Sequence, residues 1–427
     1  MTADAVDVAV VGAGPAGIAA AVAASEAGSS VAVVDEYPAA GGQIWKGAPP
    51  RRWRAALADS GARLRLRTTV WAASDPHTLL TVDADGRPGS VRARTIVLAT
   101  GAYDRPVAFP GWTLPGVLTA GAAQSLAKAH GVLPGQRVLL AGAGPFLLPV
   151  AAQLRSLGAE VVAVAEATRR RDWLRAGPRM LSHPARLRDY ATYRLRLRGV
   201  PMLWGHVIVR ASGAGRVESA AVAAVDGDWR PGAERALRVD AVCTAYGFLA
   251  SLEIPGALGC AIGGGAVVHD ERMCTSVPHV FVAGEAAGVG GAQLALLEGA
   301  IAGRAAAGAA VPRHLRRRRR HAARFASVLA DLFAPRPGLG ELADAATVLC
   351  RCEDVTAAEI DAAVARGARS PNALKIATRC GQGPCQGRVC GELVAARAPE
   401  ADSFTVRPPL RPVSVATLID GVTAGRA

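Results

Sequence analysis

The chain has 427 residues, of which 51% are hydrophobic and 20% charged, and its formal net charge is +14. This length and composition indicate a globular protein with a large core and two or three domains. Arginines Arg316 to Arg320 form an unbroken run, but no aromatic residues interleave with it. The stacking half of a nucleic-acid site is therefore missing, so we expect a solvated linker and exclude nucleic acid as a partner.

The N-terminal segment "MTADAVDVAVVGAGPAG" begins with acidic residues and is interrupted by Gly and Pro. These features predict the first strand of a fold and not a signal peptide. No run of about eighteen residues lacks a charge or a helix breaker, so no transmembrane helix is expected. The predicted location is the cytoplasm, with a peripheral position at the inner membrane as the alternative.

A repeat organises the first half of the chain. The segment from Val8 to Glu36, the first copy, aligns without a gap with the segment from Val138 to Glu166, the second copy. Both read as an apolar β-branched strand, a tight glycine turn, an Ala/Leu-rich helix that ends at Gly, a second strand and an acid. This order predicts a dinucleotide-binding βαβ unit that is present twice.

The first copy contains the complete G-x-G-x-x-G pattern. The first glycine permits the turn, the second lets the backbone approach a pyrophosphate, and the third lets the helix pack on the strand. The helix N-terminus adds positive potential, and the acid after the second strand stands at the usual distance from a ribose hydroxyl. The residues expected at the dinucleotide are Gly12, Gly14, Pro15, Ala16, Gly17, Asp35 and Glu36.

The second copy keeps Gly142 and Gly144 but has Leu147 in place of the third glycine. A leucine at this position should push the helix and strand apart or shift the helix, which disfavours tight nicotinamide binding. Glu166 aligns with Glu36 and could bind a ribose, and Arg169 to Arg171 could meet a phosphate. NAD(P) or another adenine nucleotide at this second site, and a purely architectural domain, both remain open.

Two further segments resemble the two-dinucleotide-domain flavoprotein family, which includes glutathione reductase and thioredoxin reductase. They are "TIVLATGA" (Thr95 to Ala102) and "TSVPHVFVAGEAAGVGGAQLALLEGAIAG" (Thr275 to Gly303). The resemblance implies FAD as the ligand of the first copy, with Glu285 at the ribityl chain where the family usually has Asp. The further residues it implies at FAD are Gly42, Gln43, Ala99, Thr100, Gly101, Gly284, Glu285 and Gly291.

The disulfide reductases of that family carry a redox pair of cysteines, and this chain lacks one in both usual places. The segment "AAGGQIWKGAPP" contains no cysteine, and neither does the span from residue 105 to residue 240. Dithiol chemistry beside the flavin is therefore not expected.

The segment from Cys350 to Cys390, the cysteine segment, holds five of the eight cysteines. Clustered thiols in a cytosolic chain more often bind metal than form disulfides. The T-x-x-E sequence at Thr356 predicts a capping box and a first helix, Ser370 followed by Pro predicts a second, and a third is expected to begin near Gln386. The thiols would then lie before the first helix and at the start of the third.

The spacing of the thiols is Cys350-x-Cys352 and Cys385-x4-Cys390. Residues i and i+2 of an extended loop point to one side, and a helix N-terminus favours thiolates. A 2Fe-2S cluster is favoured over zinc, because structural zinc usually uses spacers of two to four residues. Free structural thiols are the third alternative, and Cys380 is surplus to a four-thiolate site.

The cysteine segment resembles the bacterioferritin-associated-ferredoxin-like 2Fe-2S domain as it occurs in FAD subunits of heteromeric amino-acid and amine dehydrogenases. These include D-hydroxyproline dehydrogenase, opine oxidase and hydrogen cyanide synthase. The stretch "ATGAYDRPVAFPGWTLPGVLTAGAAQ" and the tail "FTVRPPLRPVSVATL" also resemble that group. The resemblance implies Cys350, Cys352, Cys385 and Cys390 as cluster ligands.

The predicted fold class is α/β, with two Rossmann-like dinucleotide-binding domains and a small helical 2Fe-2S domain. The expected segments are an FAD domain at 1–105 and 241–310, a second dinucleotide-like domain at 106–240, an Arg-rich linker at 311–345, the 2Fe-2S domain at 346–400 and a tail at 401–427. FAD accepts two electrons together and the cluster passes one at a time, which suits an electron relay.

The resemblance implies a hetero-oligomer with a D-amino-acid-oxidase-like flavoprotein, which would oxidise an amino acid, imino acid or opine. It also allows a small ferredoxin-like protein in the same assembly. A self-contained NAD(P)H-dependent reductase and a non-catalytic metal-binding scaffold are the alternatives. No substrate-side acid or base stands out, because the histidines are scattered.

Overall fold

The computed structural model describes residues 3–46, 48–180, 183–400, 404 and 406–424. The strands of the first half are β1 (Ala3–Val11), β2 (Val31–Val34), β3 (Arg63–Arg65), β4 (Thr68–Asp75), β5 (Thr78–Asp83), β6 (Pro88–Leu98), β7 (Ala102–Asp104), β8 (Val117–Thr119), β9 (Arg137–Gly142), β10 (Glu160–Glu166) and β11 (Met202–Trp204). Those of the second half are β12 (His206–Ser212), β13 (Ser219–Val225), β14 (Pro231–Arg238), β15 (Ala241–Ala245), β16 (Phe248–Ala250), β17 (Ile262–Gly263), β18 (Ala266–Val267), β19 (Val280–Val282), β20 (Val348–Cys350) and β21 (Val355–Thr356).

The α-helices are α1 (Pro15–Glu26), α2 (Gly42–Trp45), α3 (Arg51–Asp59), α4 (Ala120–His130), α5 (Leu147–Ser156), α6 (Arg170–Met180), α7 (Pro184–Arg196), α8 (Glu253–Ala257), α9 (Ala292–Ala306), α10 (Arg313–Leu332), α11 (Ala357–Ala365), α12 (Pro371–Thr378), α13 (Gly391–Ala395) and α14 (Val415–Ala424). Two short 3-10 helices lie at Gly284–Ala287 and Pro337–Leu339.

The chain divides into two compact units. Unit 1 comprises Met1–Tyr103, Leu249–Ser327 and Val406–Ala427, and unit 2 comprises Asp104–Phe248 and Val328–Thr405. The unit boundaries fall close to the predicted limits of the dinucleotide-like domains. The finer five-segment division stays a prediction, and its tail includes residues 401–403, 405 and 425–427, which lie outside the described residues.

Unit 1 is built on a sheet with the order β3-β2-β1-β6-β5-β4, and β19 also pairs with β6. The pairs β2–β1, β1–β6 and β6–β19 are parallel. Residues Val31 to Val34 of β2 are all buried, as expected for a parallel strand that is covered on both faces. This confirms the βαβ unit predicted for the first copy.

Two glycines bring helices α1 and α9 of unit 1 into close contact. A Cβ on Gly299 would lie 2.1 Å from the carbonyl oxygen of Ala16, and one on Gly303 would lie 2.1 Å from that of Ala20. Any side chain at either position would therefore separate the helices.

The C-terminal segment of residues 406–424 packs on unit 1. The N–H of Leu410, which is buried, donates to the carbonyl of Trp71 at 2.7 Å. Val413 and Leu418 pack against a small cluster of Trp71, Ala72 and Leu80. Unit 1 is thus completed by residues that follow the cysteine segment in the chain.

Unit 2 contains a five-stranded sheet of order β11-β10-β9-β15-β8 and an antiparallel sheet of β12, β13 and β14. The pairs of the larger sheet are parallel, which confirms a second dinucleotide-type fold. Its core also includes buried residues of the cysteine segment, among them Val355, Ile360 and Leu374.

Side chains of the second dinucleotide-type fold hold the cysteine segment directly. Trp112 donates its indole N–H to the carbonyl of Val348 at 2.6 Å, and Arg351 lies 5.2 Å above the Trp112 ring. Arg105 forms an ion pair with Glu392. The cysteine segment therefore shares a hydrophobic core with the second dinucleotide-type fold.

The arginine run, which the sequence analysis predicts to lie in a solvated linker, lies in helix α10. Arg319 is largely buried and pairs at 3.0 Å with Glu298, while Arg317, Arg318 and Arg320 are exposed. Periodic burial of one face explains the helix. Within the residues that the structure describes, no helix is long and apolar enough to cross a membrane.

Candidate functional site

The glycines of the first copy occupy three different environments. Gly12 has φ +101°, and a Cβ on Gly17 would lie 1.7 Å from the Gly12 carbonyl oxygen. Gly14 is the N-cap of α1, and a Cβ there would meet only the Cα of Gly42, at 3.9 Å. Gly12 thus permits the turn, Gly17 lets the helix pack closely, and Gly14 leaves the helix N-terminus open, as the sequence predicts. This loop fits a dinucleotide pyrophosphate.

The ends of four parallel strands bring the other predicted residues to the same edge of the sheet. Val11 pairs with Val34 and with Leu98, and Leu98 also pairs with Val282. Gly12, Asp35, Ala99 and Ala283 follow these strands directly, and ligands of open α/β sheets bind beyond such strand ends. Thr100, Gly101 and Gly284 lie one or two residues further along the chain.

The carboxylate of Asp35 is buried and pins the loops beside it. It accepts the N–H of Ala13 at 2.5 Å and that of Tyr37 at 2.8 Å. Burial raises the pKa of Asp35, although these two N–H groups oppose the shift. Asp35 therefore links the glycine turn to the loop after β2, and its contact with a ribose stays a prediction.

Glu285 lies at the N-terminus of α9. Its carboxylate accepts the N–H of Gly291 at 2.9 Å, and Gly290 also donates to it. Burial raises the pKa of Glu285, and these N–H bonds lower it. Helix α9 begins after Gly291, so Glu285 orders the loop that leads into this helix.

Sequence reasoning missed a polar group that surrounds Gln43 in unit 1. Gln43 donates from Nε2 to the Tyr37 hydroxyl at 2.5 Å and accepts from Lys46, whose Nζ lies 5.0 Å above the Tyr37 ring. These residues follow the second strand of the first copy, and Gln43 is the last residue of the "GGQ" sequence. The composition of that loop gave no signal beyond Gln43 itself.

A register shift in β10 changes the expected equivalence of the acids. In the first copy, β1 and β2 pair in one register, which places Asp35 beside Gly12. In the second copy the register shifts between Val161 and Ala163, and Gly142 pairs with Glu166. Glu166 is therefore the structural counterpart of Asp35 and not of Glu36, which corrects the gapless alignment.

Glu166 is buried and is already engaged by the chain's own backbone. Its carboxylate accepts from Gly144 N at 3.1 Å and from Thr168 N at 2.9 Å. Burial raises its pKa to about 7, against the effect of those two N–H groups. Arg169, a predicted phosphate ligand, pairs instead with Asp172 at 3.4 Å.

Leu147 shifts the start of the second-copy helix, as predicted. Helix α1 begins at Pro15, but α5 begins at Leu147, two residues beyond the equivalent Pro145. Leu147 is buried. A leucine cannot lie where a Cβ would approach a carbonyl as closely as at Gly17, so the helix starts later.

Aromatic residues cover the glycine turn of the second copy. The ring of Phe333 comes within 3.6 Å of the position that a Cβ on Gly144 would occupy. Trp173 packs against Phe333 at 5.4 Å between ring centroids, against Trp204 at 5.7 Å and against Tyr190 at 5.4 Å. The cavity that remains has a volume of about 10 Å³, whereas ligand pockets hold several hundred. The residues present do not fit NAD(P) or another adenine nucleotide.

The four predicted cluster ligands come together as two pairs. The thiols of Cys350 and Cys390 are hydrogen-bonded, and the Cys352 thiol contacts both the thiol and the backbone N–H of Cys385. Across the described part of the chain, no three His, Cys, Asp or Glu side chains are grouped as ligands of a single ion. Two pairs fit the two metal positions of a 2Fe-2S cluster better than the single position of zinc.

Backbone N–H groups surround Cys350. The Cys390 thiol and the N–H groups of Gly381, Glu353 and Cys352 lower the pKa of Cys350 to about 5, against the effect of burial. A Cβ on Gly383 would lie 2.2 Å from the Cβ of Cys352, so only glycine fits there. This donor set favours a thiolate and fits an iron–sulfur centre.

The helices of the cysteine segment follow two of the three predictions. The capping box of Thr356 and the N-cap of Ser370 are both present. The third helix begins at Gly391 and not near Gln386, because Gln386 and Gly387 have φ of +51° and +83°, outside the helical region. Cys390 is its N-cap and Cys385 lies in the turn before it.

Cys380 is buried beside the predicted ligands. Burial raises the pKa of its thiol, and its backbone N–H donates to Thr378 Oγ1 at 3.3 Å. The Cys380 thiol is close enough to Cys350 to feel its charge. Its environment agrees with a small buried side chain.

Two family models match the chain. The pyridine nucleotide-disulphide oxidoreductase model matches residues 6–303, and the BFD-like [2Fe-2S] binding domain model matches residues 348–396. The fold and these matches define an FAD-type oxidoreductase with a C-terminal 2Fe-2S domain.

Similar proteins include the opine oxidase A-subunit of Rhizobium meliloti, 36% identical over 97% of this chain and 98% of that protein. The HcnB subunit of hydrogen cyanide synthase from Pseudomonas aeruginosa is 33% identical over 89% of this chain and 90% of that protein. The solved structure of L-proline dehydrogenase from P. horikoshii covers 98% of this chain and 80% of that chain, with a TM-score of 0.70 and 21% identity, which supports the fold. The chain belongs to the pyridine nucleotide-disulphide oxidoreductase family, and within it to the group of the opine oxidase A-subunit and HcnB.

Proposed function

We propose that this chain is the FAD- and 2Fe-2S-containing subunit of a heteromeric dehydrogenase. A partner flavoprotein of the D-amino-acid-oxidase type would oxidise an amino acid, imino acid or opine. This chain would then relay the electrons to an acceptor such as a quinone. The relatives named above are themselves subunits of an opine oxidase and a hydrogen cyanide synthase, which supports a role within an assembly.

The observation that carries the proposal is the pairing of four cysteines in a chain that also has an open dinucleotide loop. Among the residues that the structure describes, this loop is that of the first copy. FAD, when bound, accepts two electrons and a 2Fe-2S cluster passes them singly. The residues proposed to hold FAD are those of the first copy and its neighbours at the strand ends. Cys350, Cys352, Cys385 and Cys390 are the proposed cluster ligands.

The closed second copy separates this proposal from a self-contained NAD(P)H-dependent reductase. Such an enzyme needs a nicotinamide site, and Phe333 and Trp173 fill the only candidate that the sequence offers. The second copy would then support the cysteine segment structurally, because the two share a hydrophobic core.

The proposal is tested with the chain expressed alone and together with an oxidase-type flavoprotein encoded beside it. The flavin and iron–sulfur absorbance is recorded anaerobically after addition of candidate amino acids and opines. We expect both chromophores in either preparation and substrate-dependent bleaching only in the complex. Bleaching of the isolated chain by an amino acid would contradict the partner-dependent role, and absence of both chromophores would leave only a scaffold.

A further inference from the structure

An arginine of the C-terminal segment reaches the loop that follows the second strand of the first copy. Arg411 Nε lies 3.6 Å from Glu36 Oε2, and its Nη1 lies 3.7 Å from Glu253 Oε1. Its Nη2 donates to the Tyr103 hydroxyl at 3.2 Å. All four residues belong to unit 1, although they come from separate parts of the chain.

The partners of Arg411 are fixed by contacts of their own. The Tyr103 hydroxyl donates to Glu253 at 2.9 Å, and Ser251 donates to the other oxygen of Glu253 at 2.8 Å. Ser251 in turn is bonded through its backbone N–H to Gly101 and through its carbonyl to Thr100. The network therefore extends to the strand-end loop proposed to contact FAD.

The negative charge of the carboxylates in this network would oppose the binding of an anionic dinucleotide. Asp35, Glu36 and Glu253 are acidic and lie around the end of β2, where the adenosine of a dinucleotide binds in this fold. A bound pyrophosphate adds further negative charge. Arg411 neutralises two of the three carboxylates, and the planar guanidinium can serve several acceptors at once.

The backbone holds Arg411 in place. Leu410 is 4% exposed and its N–H donates to Trp71, while the Arg411 side chain is only 24% exposed. Thr417, 1% exposed, bonds to the carbonyl of Gly86 at 3.4 Å. These contacts fix the segment on unit 1 on both sides of Arg411, and the ion pair with Glu36 is made by Arg411.

We propose that Arg411 is a positioning residue for FAD and that residues 406–424 form a strap that retains the adenosine end of the cofactor. Arg411 orients Glu36 and offsets the repulsion that Glu36 and Glu253 would exert on the anionic dinucleotide. The inference rests on the proposed function, because it takes FAD as the ligand of the first copy.

The test compares Arg411→Ala with Arg407→Ala, an exposed arginine of the same segment, in the full chain. Release of FAD is followed by the rise in flavin fluorescence after dilution. We expect FAD to dissociate about three- to fivefold faster from Arg411→Ala, since a partly exposed ion pair contributes modestly, and Arg407→Ala to behave as wild type. The iron–sulfur absorbance should stay unchanged in both variants.

A purely structural role is separated by a double variant. Glu36→Gln in the Arg411→Ala background removes the carboxylate left without its cation, and it should slow FAD release towards the wild-type rate. Arg411→Lys keeps the positive charge but loses the planar set of guanidinium N–H donors, so it should release FAD at an intermediate rate. If Arg411→Ala fails to fold, the Lys variant and Glu36→Gln alone still measure the effect.

Two results would overturn the inference in distinguishable ways. If the wild-type chain retains FAD and both Arg411→Ala and Arg411→Lys release it at the wild-type rate, the strap is contradicted and the proposed function is not. A wild-type chain that binds no flavin contradicts the proposed function and the strap together.

Discussion

The two dinucleotide folds of this chain have similar sequences and opposite surroundings. In the first copy a Cβ on Gly14 would meet nothing closer than 3.9 Å, whereas Gly144 in the second copy faces the ring of Phe333 at 3.6 Å. Asp35 and Glu166 are both buried, and each accepts N–H groups from its glycine turn and from the loop after its own strand, so the contrast lies in the aromatic residues that cover the second turn. The difference shows that a βαβ unit can keep its strands, helix and acid while the space for the ligand is filled.

The second copy, whose ligand space is filled, packs against the cysteine segment. Its core includes Val355, Ile360 and Leu374 of the cysteine segment, and Phe333 precedes that segment in the chain. A small cluster-binding segment has little apolar surface of its own, so a shared core stabilises it beyond what a metal centre alone provides. The comparison supports the proposal that FAD binds at the first copy and that the second copy supports the cysteine segment.

The largest expected effect is on flavin content. Gly14→Ala should leave the fold intact, because the new methyl group meets only Gly42 at van der Waals distance. It should nevertheless lose most of its FAD on desalting, since the methyl group stands where the backbone must approach the pyrophosphate. Gly177→Ala, where a Cβ has open space, is the control. Full flavin content in Gly14→Ala would break the assignment of FAD to the first copy.

A second test separates the cluster from the flavin. Cys385→Ala should abolish the iron–sulfur absorbance and keep the flavin, because it removes one of the paired ligands. Cys380→Ala should keep both, since it removes only a small buried side chain. Electron paramagnetic resonance of the reduced protein and iron content give the readout. The opposite pattern would assign Cys380 as the ligand.

A smaller effect concerns pH and the second copy. The pKa of Glu166 is raised from 4.5 to about 7 by burial. Between these values the unfolded chain has already lost the proton that the folded chain keeps, so the free energy of unfolding falls as pH rises. The loss should be on the order of 3 kcal/mol by pH 8.

Glu166→Gln should lack this dependence because it cannot ionise. Urea unfolding of both proteins at pH 5 and pH 8 measures it, and the effects of all other groups cancel in the comparison. Equal changes in the wild type and the variant would mean that Glu166 is charged in the folded protein, which would favour an accessible second site.

Local patterns in the sequence were sufficient for much of the fold. The strand and helix order of both copies, the caps at Thr356 and Ser370, and the later start of the helix at Leu147 are all confirmed. Each depends on neighbouring residues, because propensity, caps and glycine geometry act over a few positions. The convergence of the four cysteines does not follow from local spacing, because thirty-two residues separate Cys352 from Cys385, and only the resemblance to the 2Fe-2S domain predicted it.

The remaining features depend on contacts that sequence spacing does not encode. Phe333 lies 189 positions after Gly144, and Arg411 lies 375 positions after Glu36. The shift at Val161 is a single irregular pairing that moves Glu166 from the position of Glu36 to that of Asp35. The arginine run formed helix α10 because one face is buried around Arg319 and Glu298, which composition alone did not reveal.

The central claim is that electrons reach this chain from a partner and not from a nicotinamide nucleotide. Anaerobic titration of the isolated, flavin- and iron-loaded chain with NADH and NADPH tests it most directly. We expect that neither nucleotide, at millimolar concentration, bleaches the flavin or cluster absorbance, while dithionite bleaches both. Stoichiometric bleaching by NADPH alone would contradict it.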